Sequence, residues 1–496
     1  MIFRVKDMGI ATGGPLIATI NKRDAEELDL HYGDRVSILT QHHTIVAIIN
    51  IADGHAVQSG MIGLYEEVMK KLNVRSNSKV STRLEERPSS LAFIKKKLEG
   101  RALSSDELDQ LVTDIVKNRL SDIELAYFVA ACHLRSMSNY ETISLTKAMI
   151  NTGDILKLRR KVVADKHCTG GVAGNRTTMM VVPICVAAGI TMPKTSSRSI
   201  TSPAGTADTM EVLAKVDFTL KKMKSIVENV GGCIVWGGAI NLAPADDRII
   251  RVEHPLSIDS RSQLLASIMA KKASVSATHL LVDIPVDPFG KISTRARAQS
   301  LKKDFMSIGM QLGIKTNVVI TDGSHPIGHG LGPQLEARDV LWVLMGDERG
   351  PEDLRKKSLK LAGIILEMAG KAKKGKGMKK AEALLESGEA YRKMLEMIKA
   401  QGGKKPNPEK LHKARFSLEV KASYSGKLTH LNNSILSKIA RIAGAPQDKG
   451  AGIYMHHSLG SNVGKTQPVY TVFSNNQRRL GYAEDIVKAA KGFRVR

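Results

Sequence analysis

Residues 165–213 constrain the fold more than any other stretch of the chain. Two polar, glycine-bearing segments flank a nearly uninterrupted apolar run, 179–190. The first segment is Lys166-His167-Cys168-Thr169-Gly170-Gly171. The second is Ser196-Ser197-Arg198-Ser199-Ile200-Thr201-Ser202, followed by Gly205-Thr206. Glycines let backbone N–H groups approach a phosphate closely, hydroxyls add donors, and Lys or Arg supplies charge. A pair of glycines or an SSR triplet occurs by chance. The ordered combination around a buried element points to an anion site.

At 496 residues the chain exceeds the size at which single cores stop growing, about 250–300 residues, so several domains are expected. The net charge of +25 admits nucleic-acid binding as one reading. With two tryptophans in the whole chain, base stacking has little support, and a lysine-rich solvated surface is preferred. No apolar run reaches the ~18 residues of a membrane span. The N-terminal stretch lacks a basic region followed by a long apolar core, so no signal peptide is expected. Four cysteines without CxxC spacing read as reduced thiols of a cytoplasmic protein.

Residues 1–84 read as a β-rich assembly domain. The stretches beginning at Arg35 and Thr44 alternate like strands. A weak echo between 28–36 and 63–74 suggests a small barrel of two related halves; an unrelated mixed α/β module fits equally well. From Pro88 the pattern turns helical. Three capping boxes follow one another: Ser104 with Glu107, Ser121 with Glu124, and Ser138 with Glu141. These mark a helical domain over 85–160, in which His133 and Met137 read as packing residues. Apolar strands at 234–236 and 280–284, separated by a helical stretch at 262–272, indicate a parallel or mixed sheet covered by helices. Such sheets bind ligands at the carboxyl ends of strands. The expected class is therefore α/β, with a central phosphate- and nucleotide-binding domain over 161–410. Within it, 367–410 is rich in Lys and Gly, and reads as a solvated face or connection carrying one helical piece. Residues 411–496 read as a C-terminal α/β domain.

The sequence resembles the thymidine and pyrimidine-nucleoside phosphorylase family. That family carries a D-K-H-S-T-G-G loop and, some thirty residues on, an S-G-R…G-T-x-D-x-x-E segment. Here these are Asp165-Lys-His-Cys-Thr-Gly-Gly171 and Ser196-Ser-Arg198…Gly205-Thr-Ala-Asp208-Thr-Met-Glu211. The likeness continues through Pro244-Ala-Asp246, Ser267-Ile-Met-Ala-Lys271-Lys272, Gly328 to Glu336 and Gly444-Ala-Pro446. The resemblance implies a hammerhead-type C-terminal domain and a reaction in which inorganic phosphate displaces a base from C1′ of a ribosyl group. The additional N-terminal domain points to the branch that acts on AMP, with adenine and ribose 1,5-bisphosphate as products and CMP and UMP as further substrates. Phosphate is a co-substrate, and no cofactor or metal is implied.

Residue by residue, the resemblance makes Lys166, Ser196 and Thr206 phosphate ligands, together with Thr177 or its neighbour Thr178. Cys168 replaces the family serine, and a thiol donates weakly. Gly171, Arg198 and the segment Ser197, Ser199, Ile200, Thr201 and Ser202 are the candidates for the nucleotide and its 5′-phosphate. Ser267 and Lys271 match base-contacting positions, and their i, i+4 spacing puts them on one helix face. The family arginine that grips a pyrimidine carbonyl falls on Val252 or Glu253. A replaced loop introduces Lys291 as a new cation. Asp259 is the candidate acid that protonates the leaving adenine; His167 is the alternative. The resemblance also implies a homodimer through the helical domain, or a larger homo-oligomer built with residues 1–84.

Three rivals remain from the sequence. One is a pyrimidine-nucleoside phosphorylase. Another is a phosphoribosyltransferase of the anthranilate type, for whose metal Asp246-Asp247 is the nearby acidic pair. The third is a basic RNA-binding assembly protein using 1–84 and 367–410.

Overall fold

The computed structural model describes every residue except Ile200, Thr201, His254, Leu256, Ser257, Ile258, Asp259, Phe289, His412 and Lys413. The chain forms two compact units: residues 1–153 with 243–270, and residues 154–242 with 271–496.

The first unit opens with β1 (Ile2–Asp7), β2 (Ile17–Asn21), α1 (Lys22–Glu27), β3 (Arg35–Leu39), β4 (Thr44–Ala52), β5 (Met61–Leu64), α2 (Glu66–Leu72) and β6 (Lys79–Leu84). The strands close a barrel in the order β1-β5-β2-β4-β3-β6. Two pairs are parallel, β1 with β5 and β2 with β4. Exchanging each strand with the one three places later maps this pairing onto itself, so the barrel has the two-halves plan. Every second residue points inward, as Phe3 and Val5, Val36 and Ile38, Ala47 and Ile49, and Ile62 and Leu64 do. Closure removes the exposed sheet edges that short strands would otherwise present.

Helices follow: α3 (Ser90–Leu98), α4 (Ser105–Val116), α5 (Asp122–Arg135) and α6 (Asn139–Asn151). Each of the last three begins at one of the expected serines, whose hydroxyl accepts the N3 amide while the N3 glutamate returns to the serine N–H. Leu108, Leu111, Ile115, Leu125, Phe128, Val129 and Cys132 form the shared core. Met137 packs against it, but His133 does not: it is exposed in the last turn of α5, past the buried stripe. The bundle touches the barrel through an Asn118 amide bond to Val46 O (2.9 Å) and an Arg35–Glu124 ion pair.

The second unit contains β7 (Ala164–Cys168), α7 (Thr177–Ala187), β8 (Met192–Ser196), α8 (Thr206–Met210), α9 (Leu220–Val230) and β9 (Gly232–Trp236). Helices α10 (Pro244–Glu253) and α11 (Arg261–Ser274) come next, α10 packing on α4 and α5 in the first unit. Then follow β10 (His279–Val286), α12 (Arg295–Gln311), β11 (Lys315–Asp322), α13 (Pro333–Met345), α14 (Glu352–Met368), α15 (Gly377–Glu386) and α16 (Glu389–Ala400). Strands β11, β10 and β7 run parallel in that order, as do β8 and β9. A parallel bridge between Val163 and Thr191 joins the two sheets beside β7 and β8. The alternation of apolar strands and helices seen in the sequence thus becomes parallel layers.

One reading is sharpened and another needs revision. The apolar run, expected as a buried element, is the helix α7, whose residues from Thr177 to Val186 are all buried, with packing from α14 and α16. The Lys/Gly-rich stretch is no mere solvated connection. Its helical piece breaks at Gly388, which is left-handed at φ +73°, into α15 and α16. Ala381, Leu385, Ala390, Met394, Met397 and Ile398 bury one side of both helices in the main core. The abundant lysines lie on the other side and mask that stripe in the composition.

Toward the C-terminus, strands Gly330–Leu331, Gly452–Met455, Pro468–Ser474 and Phe416–Lys421 form an antiparallel sheet in that order. Helices Asn433–Ala443 and Gln477–Ala489 cover it. No helix among the described residues is long and apolar enough to cross a membrane.

Candidate active site

The glycine-bearing segments lie at the carboxyl ends of neighbouring strands, where parallel sheets place their ligands. Thr169, Gly170 and Gly171 leave β7; Ser196 ends β8; the 287–294 loop leaves β10. Gly170 and Gly171 have φ of +91° and +90°. At Gly174, φ is +69° and a Cβ would lie 2.1 Å from Ile327 O, so only glycine fits. The loop is also pinned by Asn433, whose Oδ1 accepts Ala173 N–H (3.2 Å) and whose amide donates to Gly323 O (2.8 Å).

Lys166 projects from β7 into a fully buried position, 0% exposed. Its ammonium donates to Thr177 Oγ1 at 2.9 Å, joining two of the residues expected to hold phosphate. Thr177 in turn donates to Asn175 Oδ1 (3.0 Å), and Asn175 reaches Cys168 Sγ (3.4 Å). Burial pushes the Lys166 pKa down, opposed by Cys168 and Asp283. Burial raises the Cys168 thiol, with Asp283 adding to the effect, so it stays protonated and a weak donor. The Thr169 and Ser196 hydroxyls are buried without a partner among the described residues.

Arg176 links the two segments. It donates to Thr206 Oγ1 (3.0 Å) and Ala204 O (2.9 Å), and pairs with Glu336 at 2.5 Å. Glu336 also accepts from Thr209 Oγ1 and Gly332 N–H. Arg198 is held by carboxylates: Glu211 at 2.6 Å, Asp208 at 3.2 Å and Asp217 at 3.7 Å, with its guanidinium over Trp236. Ser199 N–H donates to Asp208 (2.7 Å), and Ser202 Oγ donates to Ala204 O (2.8 Å). A Cβ on Gly205 would lie within 2.7 Å of Ser197 O, Arg198 C and Ser199 N, so the backbone of residues 197–199 lies tightly against that glycine.

Beneath the first loop, Asp165 holds two lysines, Lys272 at 2.8 Å and Lys194 at 3.2 Å. Burial opposes its ionisation, but the two ammoniums outweigh burial and keep its pKa low. Lys194 itself is drawn down to about 7 by burial, against the pull of Asp165. His167 is neutral, because burial and the surrounding lysines depress its pKa well below the ordinary value. It is therefore no imidazolium acid near neutral pH. Asp283, which accepts from Thr321 (2.6 Å), pairs with Lys357 at 3.2 Å.

The remaining candidates are placed as follows. The backbone N of Lys291 is 3.9 Å from a Cβ built on Gly171, so its loop closes over the first segment. Lys271 lies in the last turn of α11, beside the Lys272 that Asp165 clamps. Ser267, one turn earlier on α11, belongs to the first unit and donates to Asp246 at 2.8 Å. Val252 and Glu253 end α10. Asp259, Ile200 and Thr201 lie outside the described residues. Asp165 and Glu336 stood in the sequence only as motif positions with no role, and Arg176, Lys194 and Lys357 were not singled out at all. Asp165, Arg176 and Lys194 lie within or between the two segments and so carried a local signal; Glu336 and Lys357 are distant in sequence.

Comparison with known proteins gives a consistent picture. The helical bundle domain of the glycosyl transferase family matches residues 91–153, and its α/β domain matches 160–285. The pyrimidine nucleoside phosphorylase C-terminal domain matches residues 427–493. The chain is 43% identical to the AMP phosphorylase of Thermococcus kodakarensis over 494 residues, 99% of this chain and 97% of that protein. It is 42% identical to a Legionella pneumophila (strain Corby) protein named "Putative thymidine phosphorylase", over 92% of this chain and 87% of that one. The anthranilate phosphoribosyltransferase of Thermus thermophilus shares the fold, with a TM-score of 0.53 at 19% identity, covering 62% of this chain and 99% of that chain.

Proposed function

The chain belongs to the family of thymidine and AMP phosphorylases, and from that premise we propose that it cleaves AMP with inorganic phosphate, releasing adenine and ribose 1,5-bisphosphate. One observation carries the reading. The two anion loops at the ends of β7 and β8 are cross-linked through Lys166–Thr177 and Arg176–Thr206, with unpartnered hydroxyls on Thr169 and Ser196.

Substitution at C1′ passes through a transition state with oxocarbenium character. Phosphate attacks as the ribosyl–base bond breaks, and the bonding electrons leave with the base. The protein's task is to hold phosphate in line and to stabilise charge. Lys166 supplies the cation, while Thr177, Ser196 and Thr206 supply hydroxyls. Adenine leaves poorly as an anion, so the reading assigns Asp259 as the acid that delivers a proton, at N7. Such an acid needs a pKa raised from about 3.9 by desolvation or by a neighbouring anion. Ser267 and Lys271 face the base; the segment from Ser197 to Ser202, with Gly171 and Lys291, takes the nucleotide and its 5′-phosphate. Arg198 serves there by holding the segment through Asp208, not as an unpaired cation. No cofactor is invoked.

The second reading, a pyrimidine-nucleoside phosphorylase, is favoured by the Legionella relative's name. Against it stands the absence of an arginine at Val252 and Glu253. Phosphate-dependent base release from AMP, CMP, UMP, uridine and thymidine, with the sugar product identified, separates the two. The expected result is turnover of AMP to ribose 1,5-bisphosphate; preference for thymidine overturns the proposal.

The proposal extends to a homodimer of a cytoplasmic enzyme. Ile123, Tyr127 and Leu134 are 72, 57 and 74% exposed on α5. Their spacing forms one apolar stripe on the helical bundle.

A further inference from the structure

Outside the phosphorylase loops, the first unit gathers cations in a second place. Arg248 and Arg251 lie one turn apart on α10, and Lys71 lies in the last turn of α2 of the barrel. With Gly14 and Asn118 they line a cavity of about 120 Å³. Arg248 is fixed by bonds to Ile115 O (2.6 Å) and Leu120 O (2.9 Å), and pairs with Asp122 at 3.4 Å. Arg251 lies flat against Gly14, where a Cβ would come within 2.6 Å of its guanidinium and where φ is +126°. Asn118 is likewise anchored, donating to Val46 O at 2.9 Å.

The acid one turn before Lys71 on α2 is turned elsewhere. Glu67, one helical turn before Lys71, accepts Thr12 N–H and Gly13 N–H, both at 3.0 Å, and so braces the loop that carries Gly14. Among the described residues no carboxylate lines the cavity, and none forms an ion pair with Lys71 or Arg251. Partial burial, followed by Arg248 and Arg251, pushes the Lys71 pKa down. Lys71 and Arg251, close together with no ion-pair partner among the described residues, repel each other in the empty state, and a bound anion offsets that repulsion.

We propose that this cavity is a second anion site, which takes a phosphate or phosphoryl dianion and ties the barrel to α10. The guanidinium of Arg251 offers a planar fork of donors and Lys71 a mobile point charge, a pair suited to a tetrahedral oxyanion. A cavity this small holds one such group, not a polymer. Its residues belong to the first unit and play no part in the phosphorolytic reading.

The test counts phosphate. Equilibrium dialysis with radiolabelled inorganic phosphate is run on the full chain, the Lys71→Gln/Arg251→Gln double variant, and Lys166→Met. The double variant binds one phosphate fewer per chain than wild type and keeps the wild-type phosphorolysis rate. Lys166→Met also binds one fewer, but loses the rate. An undiminished count in the double variant overturns the proposal and leaves the catalytic reading standing. An undiminished count in Lys166→Met does the reverse. Should the double variant fold poorly, Lys71→Gln alone weakens the site at least tenfold; unchanged affinity counts against it. Tungstate soaked into crystals of the whole chain appears between Lys71 and Arg251, and its absence there overturns the proposal. Competition by ribose 5-phosphate marks the occupant as a phosphorylated metabolite; its failure to compete marks free phosphate.

Discussion

Around β7, buried cations meet carboxylates. Lys194 and Lys272 share Asp165, Arg176 meets Glu336, Lys357 meets Asp283, and Arg198 sits among Asp208, Glu211 and Asp217. Lys166 stands apart from this pattern, donating to a threonine hydroxyl. At one place in the first unit the balance is reversed: Lys71 and Arg251 line a cavity that no carboxylate lines among the described residues. The difference separates two uses of positive charge. Paired cations hold loops in shape, whereas cations without a carboxylate partner are poised for an incoming anion.

The steepest effect belongs to the chemistry those loops serve. Asp259→Asn should lower turnover of AMP by ~10²–10⁴-fold with little change in KM, the usual contribution of a general acid. Wild-type turnover in that variant would sink the assignment. Next comes Lys166→Met, for which steady-state kinetics should show a loss of about 10²–10³-fold, as for removal of one electrostatic stabiliser. A paired cation should respond in stability instead. Glu336→Gln leaves Arg176 buried against a neutral amide, at a cost of about 3–5 kcal/mol, read from denaturant unfolding. If it proves harmless to stability while abolishing phosphate binding, the division between paired and poised cations fails. The smallest effect concerns the brace beside the cavity. Contacts with Thr12 and Gly13 N–H hold the Glu67 pKa at about 2, below the ordinary 4.5. A depressed carboxylate pKa stabilises above the unfolded value and is lost as pH falls through the folded one. Hydrogen-exchange protection at Thr12 and Gly13 should therefore decline between pH 4.5 and 2.

What the sequence made legible was local. Serine and glutamate three residues apart are a complete cap, so three helix starts could be read directly. Glycines beside hydroxyls and a lysine likewise described a loop by themselves. Pairing over distance was hidden. Arg176 and Glu336 are brought together by separate helices, and Asp165 finds its lysines on β8 and α11. The cavity cations come from α2 and α10, which no spacing rule connects. In 377–400 composition misled, because the buried positions that anchor α15 and α16 are interleaved with charged residues and continue a Lys/Gly-rich run. The charge balance at a position depends on what the fold brings near it, and no residue count contains that.

The strand order of the barrel has an ancestral implication. Because β1 pairs with β5 and β2 with β4, the segment up to Leu39 cannot close without the segment from Thr44 onward. Made separately, either piece would present open strands to solvent and would close only by embracing the other piece or a second copy of itself. This is the interleaving expected when a short self-associating peptide is duplicated and joined head to tail. A chain cut in the connection between β3 and β4 is therefore expected to reassemble its barrel from the two pieces, which mixing the separately made pieces and following circular dichroism would check.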